Sequence, residues 1–228
     1  MRGVCTSLRM KAKEYDRAYF DRWYRNPRHR VKSEAELRRK VAMIVALAEY
    51  FLGRSIRNVL DIGCGEGTWR EPLLACRPGI HYLGLDSSEY AVNRFGRSRN
   101  LRLARFSDLA ELRFNHRFDL IVCSDVVHYL PASELRLGLS GFSELLAGVA
   151  FIELFTSQDA VQGDVHGFLK RSPRWYRDCF AEAGLLACGP HCYVGPDLAS
   201  SLVALERPGE CTRSLTSARL IRTRSCRP

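Results

Sequence analysis

From residue 33 onward, apolar positions recur at two alternating periods. In "SEAELRRKVAMIVALAEYFLG" (33–53), Leu37, Val41, Ile44, Val45, Ala48 and Leu52 fall at helical spacing. Ser33 and Glu36 have the spacing of a capping box, and Gly53 supplies a C-terminal stop. Short apolar runs then read as strands: "RNVLDIG" (57–63), "IHYLGLD" (80–86), "LRLARF" (101–106), "RFDLIVCSD" (117–125) and "VAFIELF" (149–155). Between and after them, "TWREPLLAC" (68–76), "SEYAVNRF" (88–95), "SELRLGLSGFSELLAG" (133–148) and "RWYRDCFAEAGL" (174–185) read as helices. "LACGPHCYVG" (186–195) and "SLVALERP" (201–208) read as two closing strands. This alternation predicts an α/β fold, doubly wound, with a mostly parallel sheet, helices on both faces and right-handed crossovers. No helix separates the last two strands, so one of them is expected to run antiparallel at the sheet's edge. Ligands of such sheets sit beyond the carboxyl ends of the strands. That rule singles out residues 61–68, 86–88, 106–109, 123–129 and 153–158.

Composition narrows the class. A chain of 228 residues suits one domain with appendages. Its longest apolar run, "VAMIVALAEYFLG", is too short and interrupted to span a bilayer, and "MRGVCTSLRM" lacks the hydrophobic core of a secretory signal. Nine cysteines, odd in number and scattered through predicted strands and helices, suggest reduced thiols and a cytoplasmic protein with no membrane partner. The net charge of +10 sits at the ends. Residues 1–40 hold 13 Lys/Arg against 5 Asp/Glu, and residues 208–228 hold five Arg against one Glu, leaving the middle slightly negative. The expected organisation is an aromatic and basic N-terminal extension and cap (1–32), a main domain (33–207) and a basic, disordered tail (208–228). A nucleic-acid reader more often carries its basic face on the folded domain, so nucleic acid is the lesser partner here.

The segment "VLDIGCGEGTWR" (59–70) carries the first chemistry. Three glycines, Gly63, Gly65 and Gly67, follow a strand, as in turns that cradle phosphates. The spacing is G-x-G-x-G rather than G-x-G-x-x-G, with Thr68 in the last position. Asp61 lies inside the strand, where a carboxylate is costly unless partnered and would repel a pyrophosphate. It suits a cation instead. S-adenosylmethionine carries an ammonium and a sulfonium and no phosphate. The plainer role of Asp61 is to hydrogen-bond the turn. Asp86 ends the second strand, where it can accept from ribose hydroxyls or cap a helix with Glu89. Asp108 follows the third, where it can accept from an adenine amino group or cap a turn with Glu111.

"VLDIGCGEGTW", "YLGLDSS", "FSDL" and "FDLIVCSDVVHYL" resemble the successive motifs of class I S-adenosylmethionine-dependent methyltransferases, in order, over about residues 55–155. The resemblance implies a Rossmann-like sheet of seven strands with the last antiparallel. It also implies cofactor contacts from Asp61, Gly63, Cys64, Gly65, Asp86, Ser87, Asp108 and Leu109, with backbone around Ser124. "SDVVHYL" lacks the Asn/Asp-Pro-Pro-Tyr/Phe of enzymes that methylate amino groups of DNA or protein glutamine, and looks more like enzymes acting on small molecules.

The expected activity is methyl transfer to an oxygen, nitrogen or carbon of a small molecule. The alternatives are an RNA-modifying enzyme that uses the basic ends, or a cofactor-binding regulator. His128, just past the fourth strand, is the candidate base, or else an orienting residue. His166, Tyr176 and His191 compete with it. Asp125 is expected to fix its loop. Tyr15, Tyr19, Phe20, Trp23 and Tyr24 read as an aromatic helix face, packed on the domain or acting as a lid. Tyr19, Trp23 and Tyr129 are candidate acceptor contacts. Arg30 or Arg70 could meet the cofactor carboxylate. "CGPHC" (188–192) reads as a packed strand rather than a metal site.

Overall fold

In a computed structural model the protein is described over residues 15–26, 33–161 and 163–206. The basic tail and Arg30 lie outside the described residues. Seven strands, β1 (Asn58–Ile62), β2 (His81–Asp86), β3 (Leu101–Leu103), β4 (Phe118–Ser124), β5 (Leu146–Glu153), β6 (Leu186–Gly189) and β7 (Cys192–Val194), form one sheet in the order β3-β2-β1-β4-β5-β7-β6. β1 to β5 pair in parallel, whereas β7 runs antiparallel to both β5 and β6. The order reverses at β1, which pairs with both β2 and β4, so the crevice for a ligand opens above that pair.

The helices are α1 (Arg17–Phe20), continued by a π-helical turn (Asp21–Arg25), then α2 (Glu34–Leu52), α3 (Arg70–Cys76), α4 (Glu89–Arg99), α5 (Ala132–Ser140), α6 (Phe142–Leu145), α7 (Pro173–Glu182) and α8 (Pro196–Ala199). Two buried layers follow from the period-2 alternation of the strands. Leu60, Ile62, Leu85, Ile121 and Ile152 face α5, α6 and α7. Val59, Tyr82, Leu120, Val122 and Phe151 face α2 and α3. Asp61 shares the second face, because it lies two residues beyond Val59. The α2 signals behave as read: Ser33 Oγ accepts from the Glu36 amide at 3.1 Å, and Gly53 ends the helix at φ +64°.

The closing segment differs from the sequence reading. "LACGPHCYVG" is not one strand but the β6–β7 hairpin, turning at Pro190 and at His191, whose φ is +55°. "SLVALERP" forms no strand among its described residues. Ala204–Glu206 is a 3-10 turn with Leu205 98% exposed, and of the alternating apolar positions only Leu202 is buried.

Close approach to the ligand side depends on α5. A Cβ on Gly141 would stand 2.0 Å from the Leu109 carbonyl oxygen, and one on Gly138 2.3 Å from that of Phe106. Backbone cannot yield as a flexible side chain can. Gly141→Ala is therefore expected to cost roughly 3 kcal/mol or more of stability in urea unfolding. It displaces the 106–110 turn, which walls one cavity.

Candidate active site

The crevice holds two adjoining cavities. The smaller, of about 120 Å³, is lined by Gly63, Gly65, Asp86, Ser87, Phe106 and Ser124, among others, with Tyr15, Tyr19, Phe20 and Tyr24 above. The larger, of about 520 Å³, runs from Asp61, Cys64 and Trp69 to His128, Tyr129, Phe155 and Asp164, with Tyr19 and Trp23 as its cover.

The glycine turn is shaped by backbone needs. Gly63 and Gly65 take φ +66° and +54°, left-handed values that favour glycine. The amides of Gly63 and Cys64 both donate to the Leu85 carbonyl, at 2.7 and 3.1 Å, tying the turn to β2. Gly65 N–H donates to Asp86 Oδ2 at 2.6 Å, and Ser88 N–H to Oδ1 at 2.8 Å. Asp86 does not cap α4 with Glu89. Ser88 does, accepting from the Ala91 amide at 3.1 Å. Burial raises the Asp86 carboxyl above the ordinary range, opposed by these amides.

Asp61 is 2% exposed and accepts a 2.7 Å hydrogen bond from the Tyr82 hydroxyl. No ion pair among the described residues neutralises it. Burial pushes its carboxyl up to about 7, Tyr82 pulls it down, and nearby Asp86 adds to the rise. Opposite Asp61 in the sheet stands Gly84, where a Cβ would meet Cys64 Sγ at 2.7 Å. Such a site fits a cation at Asp61 and a hydroxyl-rich group at Asp86, whose oxygens keep lone pairs. Two buried carboxylates do not fit a pyrophosphate.

Among the other candidates, Ser87 and Ser124 line the cavities, and Ser124 Oγ donates to Glu153 Oε2 at 2.7 Å. Asp108 and Leu109 line neither. Asp108 is exposed and accepts from the Arg105 amide at 2.8 Å, the capping role, while Leu109 is fully buried in the core. Of the stretch after β3, it is Ala104, Arg105 and Phe106 that line the smaller cavity. Arg70 lines the larger cavity; His166, Tyr176 and His191 line neither. Cys188 and Cys192 are buried free thiols, 7% and 0% exposed, within the α2-side core.

His128 is 1% exposed, with ring centroids of Tyr129, Phe155 and Phe168 at 4.3, 5.7 and 5.4 Å. Its Nδ1 faces the Phe155 amide at 3.4 Å. An amide can only donate, so Nδ1 accepts and the neutral ring carries its proton on Nε2. That contact orients the ring. His128→Ala is expected to cost about 3 kcal/mol of stability. Any loss of turnover should persist as pH rises; a loss that shrinks would restore the base.

Sequence reading missed Tyr82 and Asp164, and gave no role to Glu153 and Phe155, which fall in the strand-end range 153–158. Tyr82 alone left a signal, a polar-tipped residue two before the glycine of β2. Tyr15–Arg25 is clasped to the site at three points: Ser88 Oγ donates to the Tyr15 carbonyl, Phe20 stacks on Tyr90 at 5.8 Å, and Arg25 pairs with Glu66.

Comparisons with known proteins agree with this geometry. Residues 60–149 match the family model described as a methyltransferase domain. No curated protein matches in sequence. The sugar N-methyltransferase KedS8 from Streptoalloteichus sp ATCC 53650 is similar in structure, with TM-score 0.58 and 19% identity over 86% of this chain and 98% of that one. DesVI of Streptomyces venezuelae follows with TM-score 0.56 and 20% identity over 71% and 93%. SAM-bound CalS10 of Micromonospora echinaspora, an amino pentose methyltransferase, has TM-score 0.52 and 21% identity over 69% and 86%. At these identities the structural likeness establishes the fold. No helix among the described residues is long and apolar enough to cross a membrane.

Proposed function

We propose that this chain, an S-adenosylmethionine-dependent methyltransferase, methylates an oxygen, nitrogen or carbon of a small molecule enclosed in the larger cavity. The cavity itself carries this reading. Its volume of about 520 Å³ is that of a small-molecule site, and it runs on from the glycine turn. The solved structures it resembles include enzymes named for sugar and amino pentose substrates, which supports an acceptor of that size.

When bound, the cofactor supplies a methyl group on a positively charged sulfur, an electrophile that needs little help from protein side chains. Asp61 would hold its ammonium, Asp86 its ribose hydroxyls, and Gly63, Cys64, Gly65, Ser87 and Ser124 would form the surrounding wall. Arg70, which lines the larger cavity, would meet its carboxylate. The protein's contribution is alignment and exclusion of water. Tyr19, Trp23 and Tyr129 would pack on the acceptor. Residues 1–32 serve as a cap on a methyltransferase domain of residues 33–207; in the described part, Tyr15–Asn26, the clasp to Ser88 and Glu66 supports this. The six described cysteines are free thiols, in keeping with a cytoplasmic setting.

Incubation with radiolabelled cofactor and a metabolite extract tests the reading. Label is expected in the small-molecule fraction, identified by mass spectrometry. Label confined to RNA or protein, or none, would overturn it.

A further inference from the structure

The larger cavity is lined by aromatic rings and by several carboxylates. Near the glycine turn, Glu66 is gripped by arginines: Arg25 pairs with its carboxylate, and Arg99 donates to its backbone carbonyl. The same cavity is walled by the rings of Tyr19, Trp23, His128, Tyr129 and Phe155 and by Asp125 and Asp164, and the Tyr129 hydroxyl donates to the Asp164 carbonyl at 2.6 Å. Asp125 is also the one carboxylate, among the described residues, that lines both cavities. It therefore stands where cofactor and acceptor must meet.

The backbone at Asp125 is unusual. Its φ is +63°, a left-handed conformation that an aspartate tolerates better than most residues but still disfavours. Such a conformation persists only where surrounding structure imposes it. Here Glu153, at the end of β5, does so from two sides. Its carbonyl accepts the Asp125 N–H at 2.9 Å, and its carboxylate accepts from Ser124 Oγ at 2.7 Å. Lys40 from α2 completes the set with an ion pair to Glu153. Three elements thus converge to hold one carboxylate at the junction of the two cavities.

We propose that Asp125 binds the acceptor through a protonated amino group, whose proton passes to the carboxylate before the nitrogen lone pair takes the methyl, so that the enzyme selects amines over alcohols of the same shape. This rests on the methyltransferase reading above. A carboxylate and an ammonium form charge-assisted hydrogen bonds about twice as strong as neutral ones. The surrounding aromatic faces add attraction for a cation, which a neutral hydroxyl does not receive. Glu153 is a positioning residue that acts through Asp125.

Benzylamine and benzyl alcohol, a cation and a neutral molecule of nearly equal shape, are the probes. Each is titrated calorimetrically into the full chain saturated with S-adenosylhomocysteine. The wild type is expected to bind benzylamine about tenfold more tightly than benzyl alcohol. Asp125→Asn keeps the side chain's size and tolerates the left-handed backbone, so the protein should fold and still bind S-adenosylhomocysteine while losing the preference. Glu153→Gln should reduce the preference in part. Equal affinity for the two probes, no binding of benzylamine, or a preference that survives in Asp125→Asn would overturn the proposal. Failure of the wild type to bind S-adenosylhomocysteine would instead overturn the methyltransferase reading on which the proposal rests.

Discussion

Asp61→Asn is expected to weaken S-adenosylmethionine binding a hundredfold or more at pH 8, yet to raise the melting temperature of the cofactor-free protein above pH 7. Both effects have one cause. Asp61 is buried beside Tyr82, and without a bound cation its carboxyl is pushed up to about 7. The folded-state value exceeds the unfolded one, so the folded state holds the proton more tightly. The resulting loss of stability is absent below about pH 4, grows as pH rises, and is complete above pH 7. A shift of this size corresponds to at most about 4 kcal/mol. The asparagine amide buries a donor in exchange, which offsets about half. The net gain should be a few degrees at pH 8 and nothing near pH 4, read from melting curves across that range.

Binding runs the other way. An ammonium against Asp61 needs the carboxylate, so wild-type affinity should fall about tenfold between pH 8 and pH 6, as the group takes up its proton. Removing one partner of a buried pair costs roughly 3–5 kcal/mol, hence the hundredfold loss in Asp61→Asn. The variant should show none of the pH dependence that this site confers.

Gly63→Ala is the second large effect. Two separable penalties meet there. The left-handed φ of +66° costs a residue with a Cβ roughly 1 kcal/mol or more. The new Cβ would also lie 2.3 Å from Val126 Cγ2, a contact that forces Val126 or the turn to move. The combined loss should reach about 3 kcal/mol, and cofactor affinity should fall with it because Gly63 lines both cavities. Val126→Ala in the same chain should relieve the clash and leave the backbone cost. In a double-mutant cycle the two substitutions should therefore couple favourably. Additive losses would show that Val126 does not constrain the turn.

How far the sequence carried depended on whether a feature was local. β1 to β5 and α2 were legible because their apolar positions repeat at the strand and helix periods and their faces are in fact buried. "SLVALE" repeats as a strand does, but Val203 and Leu205 stay exposed, at 64% and 98%, and no sheet edge receives them. The β6–β7 hairpin was missed because Pro190 and His191 make its turn without the usual Asn-Gly or Asp-Gly signal. Asp61, Asp86 and the glycine turn could be picked out because a carboxylate in a buried strand demands an explanation. Asp108 could not be resolved, since capping spacing and ligand spacing coincide. The aromatic stretch at Tyr15–Arg25 was visible as a pattern, but its partners Ser88, Tyr90 and Glu66 lie 41 to 73 residues away where hydrogen bonds record the separation. Asp164 carries no motif, and only the folded chain brings it to the cavity.

The claim that Asp61 and the glycine turn form a cation-holding cofactor site is tested most directly by calorimetric titration of the purified chain, with S-adenosylmethionine and with NAD in parallel. Saturable binding of S-adenosylmethionine, weaker at pH 6 than at pH 8, with no binding of NAD, is the predicted result. Binding of NAD in preference, or of neither, would contradict it.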